Sequence, residues 1–215
     1  MRYIHPVGIH EKFVASGEYN HHHSQWSVHQ FPDGAWMMRV DWDKRAVDGT
    51  SILIEAWRSP IAEGGNIDRF DIWGFADKRY PIQQVKARYF VVESTLEISL
   101  QIDKQPQLTQ SHRFSSDMRL LPDLPLFWGY MTAKSAQTVV SCLFDFASPQ
   151  AFSPVMTQPI VTPLGEELLM LTERPHTTQH YQLDNRHVWI DNLGVVLAYE
   201  QDDVRHVVKN YARRK

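Results

Sequence analysis

Apolar and polar residues alternate along most of this chain with a period of two residues. Trp36, Met38 and Trp42 fall on one side of an extended segment, while Arg39 and Asp41 fall on the other. Because successive side chains of a β-strand point to opposite faces, this pattern is typical of a strand with one buried face. The same alternation recurs between many short turns, so strands are the main predicted element.

Turn signals separate the alternating segments at short intervals. Pro32-Asp33-Gly34 and Asp48-Gly49 each place a glycine, which accepts positive φ, after a residue that favours turns. Asp191-Asn192-Leu193-Gly194 predicts a further hairpin near the C-terminal end. The sequence therefore predicts an all-β protein: an antiparallel barrel or open half-barrel of about a dozen strands, with few or no helices.

One long segment departs from the alternation. Residues 104–125 contain Pro106, Pro122 and Pro125, which favours a connection over a continuous strand. The apolar run 126–131 that follows is predicted to be a strand. We interpret residues 1–215 as a single β domain, and the connection leaves open a division into two similar halves.

Aromatic residues make up 12% of the chain and include seven tryptophans. Such side chains suit both a pleated core surface and an apolar ligand pocket. Alternation does not separate these two roles, because interior positions of a barrel either fill its centre or line a cavity. If a cavity is present, its candidate ligand-binding residues are Trp36, Met38, Trp42, Trp57, Trp73 and Trp128.

Histidines form one group early in the chain. On a strand, His21, His23 and His29 would share one face, where three imidazoles could bind Zn²⁺ and leave a position open for water. No carboxylate or histidine follows them at a familiar ligand spacing, so adventitious metal binding is the alternative.

A second histidine group precedes the C-terminal hairpin and consists of His176, His180 and His187. A general base in this group would need an orienting carboxylate within hydrogen-bond reach, for which Asp184 and Asp191 are the candidates. A polar loop leading into the hairpin is the alternative interpretation.

Charge and cysteine content narrow the function classes. The net charge of −3 provides no basic field for nucleic acid or for an anionic membrane. Cys142 is the only cysteine and lies in an apolar run, so we expect a buried, inert thiol and a reducing, cytoplasmic location. We expect no transmembrane segment, no secretory signal and no cofactor, because neither a long apolar stretch nor a glycine-rich phosphate loop occurs.

The run His187-Val-Trp-Ile-Asp191-x-x-Gly194-x-x-x-x-Tyr199 resembles the closing hairpin of bacterial lipid-binding half-barrels. These are the lipoprotein-carrier (LolA/LolB-like) group and the uncharacterised glycolipid-binding family. The resemblance covers the C-terminal hairpin only. It implies a curved antiparallel sheet that encloses an apolar ligand, and it assigns no catalytic residue.

These observations favour a protein that binds a lipid or other apolar small molecule in a barrel-like cavity, without catalysis. The alternative is a hydrolase or isomerase that acts on an apolar substrate, with its base from His21, His23, His29 or His180 and with or without a metal. A third interpretation is an aromatic sheet face that serves as a homodimer interface.

Overall fold

The largest element of the protein is a nine-stranded antiparallel sheet. The computed structural model describes residues 11–19, 24–60, 65–132, 138–142, 145–148 and 152–214. The strands of this sheet are β1 (Lys12–Tyr19), β2 (Ser24–Gln30), β3 (Trp36–Lys44), β4 (Thr50–Arg58), β5 (Ile67–Ala76), β6 (Gln84–Val92), β7 (Thr95–Ile102), β8 (Leu108–Arg113) and β17 (Lys209–Arg213). Their order is β17-β1-β2-β3-β4-β5-β6-β7-β8, so the last strand of the chain returns to pair with the first.

Two smaller sheets complete the described part of the fold. One contains β12 (Val161–Leu171), β13 (Arg174–Leu183), β14 (Arg186–Ile190), β15 (Val196–Gln201) and β16 (Val204–Val207), paired in that order. The other contains β9 (Met118–Pro122), β10 (Thr138–Cys142) and β11 (Pro154–Thr157). In this sheet β10 pairs antiparallel with β11 and parallel with β9.

The predicted fold class is confirmed. Strands account for 65% of the described residues, and the three sheets stay open instead of closing into a barrel, as in a half-barrel or sandwich. The seventeen strands of the described residues exceed the expected dozen, because hairpins with short, tight turns divide the C-terminal part finely. Asp184 and Asp202 have positive φ in two of these turns, where aspartate tolerates that conformation.

The core lies against one side of the nine-stranded sheet, which we call the core face. It is marked by a row of directly opposed residues that crosses six strands, each at most 2% exposed: Val28, Met38, Ala56, Phe70, Tyr89 and Ile98. The alternate residues point to the outer face. The period-two pattern of the sequence therefore assigns each side chain of β3 to the correct face.

The run 126–131 is a helix and not the strand that the sequence analysis predicts. Pro125–Trp128 forms a single α-helical turn, α1, and Gly129–Met131 continues it as a 3-10 turn. Pro125 stands at the start of the helix, where its fixed φ is favourable and its missing N–H is not needed. All four α1 residues are buried, so the run has no polar positions. Without them its sequence shows neither the period of a strand nor that of a helix.

Residues 104–125 contain two strands, β8 and β9, within the expected connection. Five of the six β8 residues are exposed, because β8 is an edge strand that lacks core packing on either side. An exposed strand has no apolar alternation, so the sequence pattern does not reveal it. The division of the chain into two similar halves stays a prediction. Among the described residues no helix is both long and apolar enough to span a membrane.

Candidate functional site

The six predicted ligand-binding residues lie in two separate places. Trp36, Met38 and Trp128 are buried in the core, with 6%, 1% and 4% of their surface exposed, and Trp42 is partly buried beside it. Trp36 and Trp42 are six residues apart on one strand, about 20 Å along its axis. They therefore mark opposite ends of the core face and do not form one pocket.

Trp57 and Trp73 of the predicted set lie on the outer face instead. Trp57 is paired with Met37 and Arg69, and Trp73 is paired with Leu53. The Arg69 guanidinium lies 4.5 Å from the centre of the Trp57 ring. Position along the strand is enough to separate these two tryptophans from the core-face residues. Each lies an odd number of residues from the buried core-face residues of its own strand, so it points to the opposite face.

The Trp36 end of the core face is covered by the segment Pro125–Met131, which we call the cover segment. The Tyr130 hydroxyl lies 2.9 Å from the Met38 sulfur and donates a hydrogen bond to it. Further along the segment, the Trp128 ring packs edge-on against Tyr199 of β15 at 5.4 Å. The cover segment therefore connects the nine-stranded sheet to the five-stranded sheet.

Arg58 stands beside Trp36 at the same end of the core face, although the sequence analysis did not include it in the pocket. Its guanidinium lies 5.3 Å from the centre of the Trp36 ring and 4.8 Å from that of Tyr130. Its Nε donates to the Gly65 carbonyl oxygen at 2.9 Å. The sequence contained a signal for Arg58. It is an even number of residues from Ile54 and Ala56, which places a charged side chain on the apolar face of β4.

The predicted metal site is only partly covered by the described residues. His21 and His23 lie outside them. His29 lies in β2, where its Nδ1 is 3.5 Å from the Glu11 carboxylate and its Nε2 is 3.2 Å from the Ser27 hydroxyl. Within the described ranges no group of three or more histidine, cysteine or acidic side chains is arranged to hold a metal ion.

The second histidine group is brought together in part, on the five-stranded sheet. His180 Nε2 lies 3.0 Å from His187 Nδ1, and His180 Nδ1 lies 3.4 Å from the Glu167 carboxylate. His176 lies apart from this pair and packs edge-on against Tyr211 at 5.3 Å. Glu167, His180 and His187 thus form a continuous chain of a carboxylate and two imidazoles.

The surroundings of His180 fix its ring and its charge. The ring stacks on Trp189 at 4.2 Å with an interplanar angle of 16°. Burial lowers the pKa of His180 from its ordinary value, and the nearby Glu167 carboxylate opposes part of that shift. At neutral pH the imidazole is therefore neutral and able to accept a proton, as a general base must.

Glu167 is the orienting carboxylate, in place of Asp184 or Asp191. Asp184 accepts a hydrogen bond from the Ile160 amide, and Asp191 accepts bonds from the Leu193 and Val195 amides, so both stabilise turns. The sequence could not show this, because a bulge between Pro163 and Gly165 changes which β12 residues face His180.

The outer face of the nine-stranded sheet carries a row of charged side chains that the sequence analysis also missed. Arg39 donates to Glu55 at 3.0 Å, and Asp71 accepts hydrogen bonds from both Arg69 and Arg88. Only 3% of Asp71 is exposed, although it lies on the outer face. A groove of about 380 Å³ lies beside it, lined by Asp71, Trp73, Lys86, Arg88, Phe90 and Gln101 among others.

Cys142 is buried, as the sequence predicts, with 1% of its surface exposed. Burial raises the pKa of its thiol to about 12, and the Tyr89 hydroxyl lies 3.0 Å from its sulfur. Because the thiolate is the reactive form, Cys142 is a packing residue and not a nucleophile.

Comparison of the chain with models of protein families, with curated proteins and with solved structures found no match. The resemblance of the C-terminal hairpin to lipid-binding half-barrels stays a prediction.

Proposed function

We propose that the protein binds a lipid or other apolar small molecule at the Trp36 end of the core face, without catalysis. The observation that carries the proposal is that the short cover segment, Pro125–Met131, contacts this end through Tyr130, whose hydroxyl bonds Met38 and whose ring faces Arg58. Beneath it lie the apolar residues Trp36, Met38 and Ala56, each at most 6% exposed. These residues would form the apolar wall of a ligand pocket once Tyr130 moves aside.

The cover segment is held to the sheet by contacts that are individually weak. Its helix, α1, has four residues and no side-chain hydrogen bond at its N-cap residue, Leu124. Helices this short are not stable on their own, so the segment depends on its packing. The bond from Tyr130 ends on a thioether sulfur, which is a weak acceptor. An apolar ligand that displaces the Tyr130 ring would break only this weak bond and leave the four buried residues of α1 in place.

Bromine-dependent quenching of tryptophan fluorescence tests the location. Dodecanol that carries bromine on its chain quenches a tryptophan on contact, and we expect saturable quenching of the wild-type protein with one molecule bound per chain. Trp36→Phe removes most of that quenching, whereas the matched outer-face variant Trp73→Phe retains it, because only Trp36 lies beneath the cover segment. Equal quenching in both variants, or none in the wild type, contradicts the proposal.

A second candidate function is acid–base catalysis on an apolar substrate, and the chain Glu167–His180–His187 favours it. A carboxylate beside one ring nitrogen and a second imidazole beside the other is an arrangement that can orient a base and move a proton. Hydrolysis of p-nitrophenyl butyrate provides the test, with His112→Gln as the control for His180→Gln. A rate above buffer that only His180→Gln abolishes supports catalysis, while identical rates in all three proteins reject it.

We propose the cytoplasm as the location, since a chain with one cysteine forms no internal disulfide.

We propose a second copy of the chain as the partner. Support comes from β12, an edge strand whose Leu168 and Met170 are 67% and 59% exposed. Exposed apolar edge strands favour pairing between chains. Light scattering measures the mass of two variants, Leu168→Lys on β12 and the control Leu108→Lys on β8, the edge strand of the nine-stranded sheet. Only Leu168→Lys should yield monomers.

A further inference from the structure

Arg58 is a charged side chain on an apolar face of the sheet. It is paired with Trp36 across β3 and β4 and follows Ile54 and Ala56 on the same side of its strand. Both of these neighbours are fully buried. A guanidinium next to such a surface is unfavourable unless it is paired, so its partners decide what it does there.

The partners of Arg58 include no carboxylate among the residues that the structure describes. Its charge faces the rings of Trp36 and Tyr130, and its Nε donates to Gly65. The outer-face arginines differ in this respect, since Arg39 bonds Glu55 and Arg88 bonds Asp71. Within the described residues, Arg58 is therefore a positive charge that is positioned by two aromatic rings and a backbone oxygen, with no carboxylate paired to it.

The loop beside Arg58 is fitted to the guanidinium. A Cβ added at Gly65 would lie 2.7 Å from an Nη nitrogen of Arg58, and Gly65 has a φ of +61°. Only glycine allows the backbone both this conformation and this approach. Gly65 thus helps to specify the position of the guanidinium.

Tyr130 supplies a second donor beside the same position. Its hydroxyl donates to the Met38 sulfur, which accepts hydrogen bonds only weakly. Burial raises the pKa of Tyr130 and the hydrogen-bonding Arg58 guanidinium opposes part of that shift, so the hydroxyl keeps its proton at neutral pH. Arg58 and Tyr130 therefore place two donors side by side, and an oxygen anion would be a better acceptor for either than the partner it has.

We propose that the ligand of the core face is an anionic amphiphile whose carboxylate or phosphate head group binds Arg58 and Tyr130. Its apolar tail lies against Trp36 and Met38 beneath the cover segment, so this inference rests on the proposed function. Arg58 and Tyr130 are partly buried, whereas Met38 behind them is fully buried. The head group consequently stays near the solvent and the tail points into the core.

A pair of ligands with the same tail tests the inference. Dodecanoate and dodecanol differ only in the head group, and both are titrated calorimetrically at pH 8 below their micellar concentrations. We expect the wild-type protein to bind dodecanoate about tenfold more tightly than dodecanol, because the carboxylate forms an ion pair with the Arg58 guanidinium and the alcohol is a neutral acceptor. Added salt should weaken dodecanoate binding and leave dodecanol binding unchanged.

Variants locate the head group. Arg58→Gln should reduce dodecanoate affinity about tenfold and leave dodecanol affinity unchanged, and Tyr130→Phe should act in the same direction with a smaller effect. Arg69→Gln is the matched control, since Arg69 also stacks on a tryptophan but lies on the outer face. If Arg58→Gln fails to fold, Arg58→Lys keeps the charge, loses the bidentate fork and should show an intermediate preference.

The possible outcomes are distinct. Equal affinity for the two ligands, unaffected by Arg58→Gln, overturns the inference and leaves the proposed function standing. Failure of the wild-type protein to bind either ligand overturns both. Inorganic phosphate or acetate that binds as tightly as dodecanoate and is lost in Arg58→Gln indicates a site for free anions, which also overturns the inference. Displacement of dodecanoate by dodecyl phosphate, but not by inorganic phosphate, supports it.

Discussion

Glu167 accepts a hydrogen bond from the Trp189 indole nitrogen at 2.6 Å, and this bond reaches across the strand β13 that lies between them in the five-stranded sheet. Glu167 lies on the edge strand β12 and Trp189 on the central strand β14. The same carboxylate lies 3.4 Å from Arg205 of the opposite edge strand, β16, whose guanidinium sits 3.9 Å from the Trp189 ring. The sheet is therefore curled so strongly that a carboxylate on one edge strand contacts an arginine on the other.

Glu167→Gln should destabilise this arrangement. The amide keeps the shape of the side chain but weakens its bonds to Trp189 and Arg205 and its interaction with His180. Since the Glu167 side chain is 40% exposed, the expected loss in the free energy of unfolding is only about 1 kcal/mol. Urea denaturation followed by circular dichroism measures it. The neighbouring Glu166→Gln is the control, and an equal effect of both variants would contradict the role given to Glu167.

The His180 cluster predicts a dependence of stability on pH. Burial lowers the pKa of His180 in the folded protein, while a histidine in the unfolded chain has a pKa of about 6.5. Below that pH the unfolded state binds more protons than the folded state, so stability falls as the pH falls. The hydrogen bond from Trp189 lowers the pKa of Glu167, which adds a loss of the same sign below about pH 4.3.

Urea midpoints at pH 7.5 and 5.5 measure the histidine contribution. We expect the wild-type midpoint to decrease on acidification and His180→Gln to remove part of that decrease, whereas His112→Gln on the edge strand β8 leaves it intact. A decrease of the same size in His180→Gln as in the wild type would show that other groups determine the pH dependence.

Asp71→Asn should destabilise the outer face of the nine-stranded sheet. Asp71 is bonded by Arg69 and Arg88, and only 4% of its side chain is exposed. Removing one partner of a fully buried ion pair costs about 3–5 kcal/mol. Because the two arginines are 40% and 49% exposed and can be rehydrated, we expect a smaller loss of about 2 kcal/mol. Thermal denaturation measures the change, and Asp43→Asn at an exposed pair should leave stability unchanged.

Gly129→Ala should separate the cover segment from the C-terminal hairpin. A Cβ at Gly129 would overlap the carbonyl oxygen of Gly194 in the turn between β14 and β15. The φ of Gly129 is −57°, which alanine adopts freely, so the effect is purely steric. Overpacking of this kind costs about 1–3 kcal/mol. Urea denaturation checks the prediction, and wild-type stability in the variant would show that the turn can move aside.

Much of the fold and part of the candidate site could be predicted from the sequence. Trp36 and Met38 were assigned to the same side of their strand because a period of two is a local property, whereas Trp57, grouped with them as a pocket candidate, lies on the outer face. The turn at Asp191–Gly194 was likewise local, since Asp191 bonds amides within four residues of itself. By contrast, the cover segment was predicted as a strand, because its uniformly apolar sequence does not distinguish the two elements.

The sequence by itself determined that the alternating segments are extended, which side of those strands is apolar and where their hairpins turn. Only the tertiary structure decided that Glu167 faces His180 and that Arg58 meets Tyr130, which are 13 and 72 positions apart in the chain. The physical reason is that alternation and turn propensity act between near neighbours. Contacts across a bulge or between sheets depend instead on register and curvature, which many residues set together.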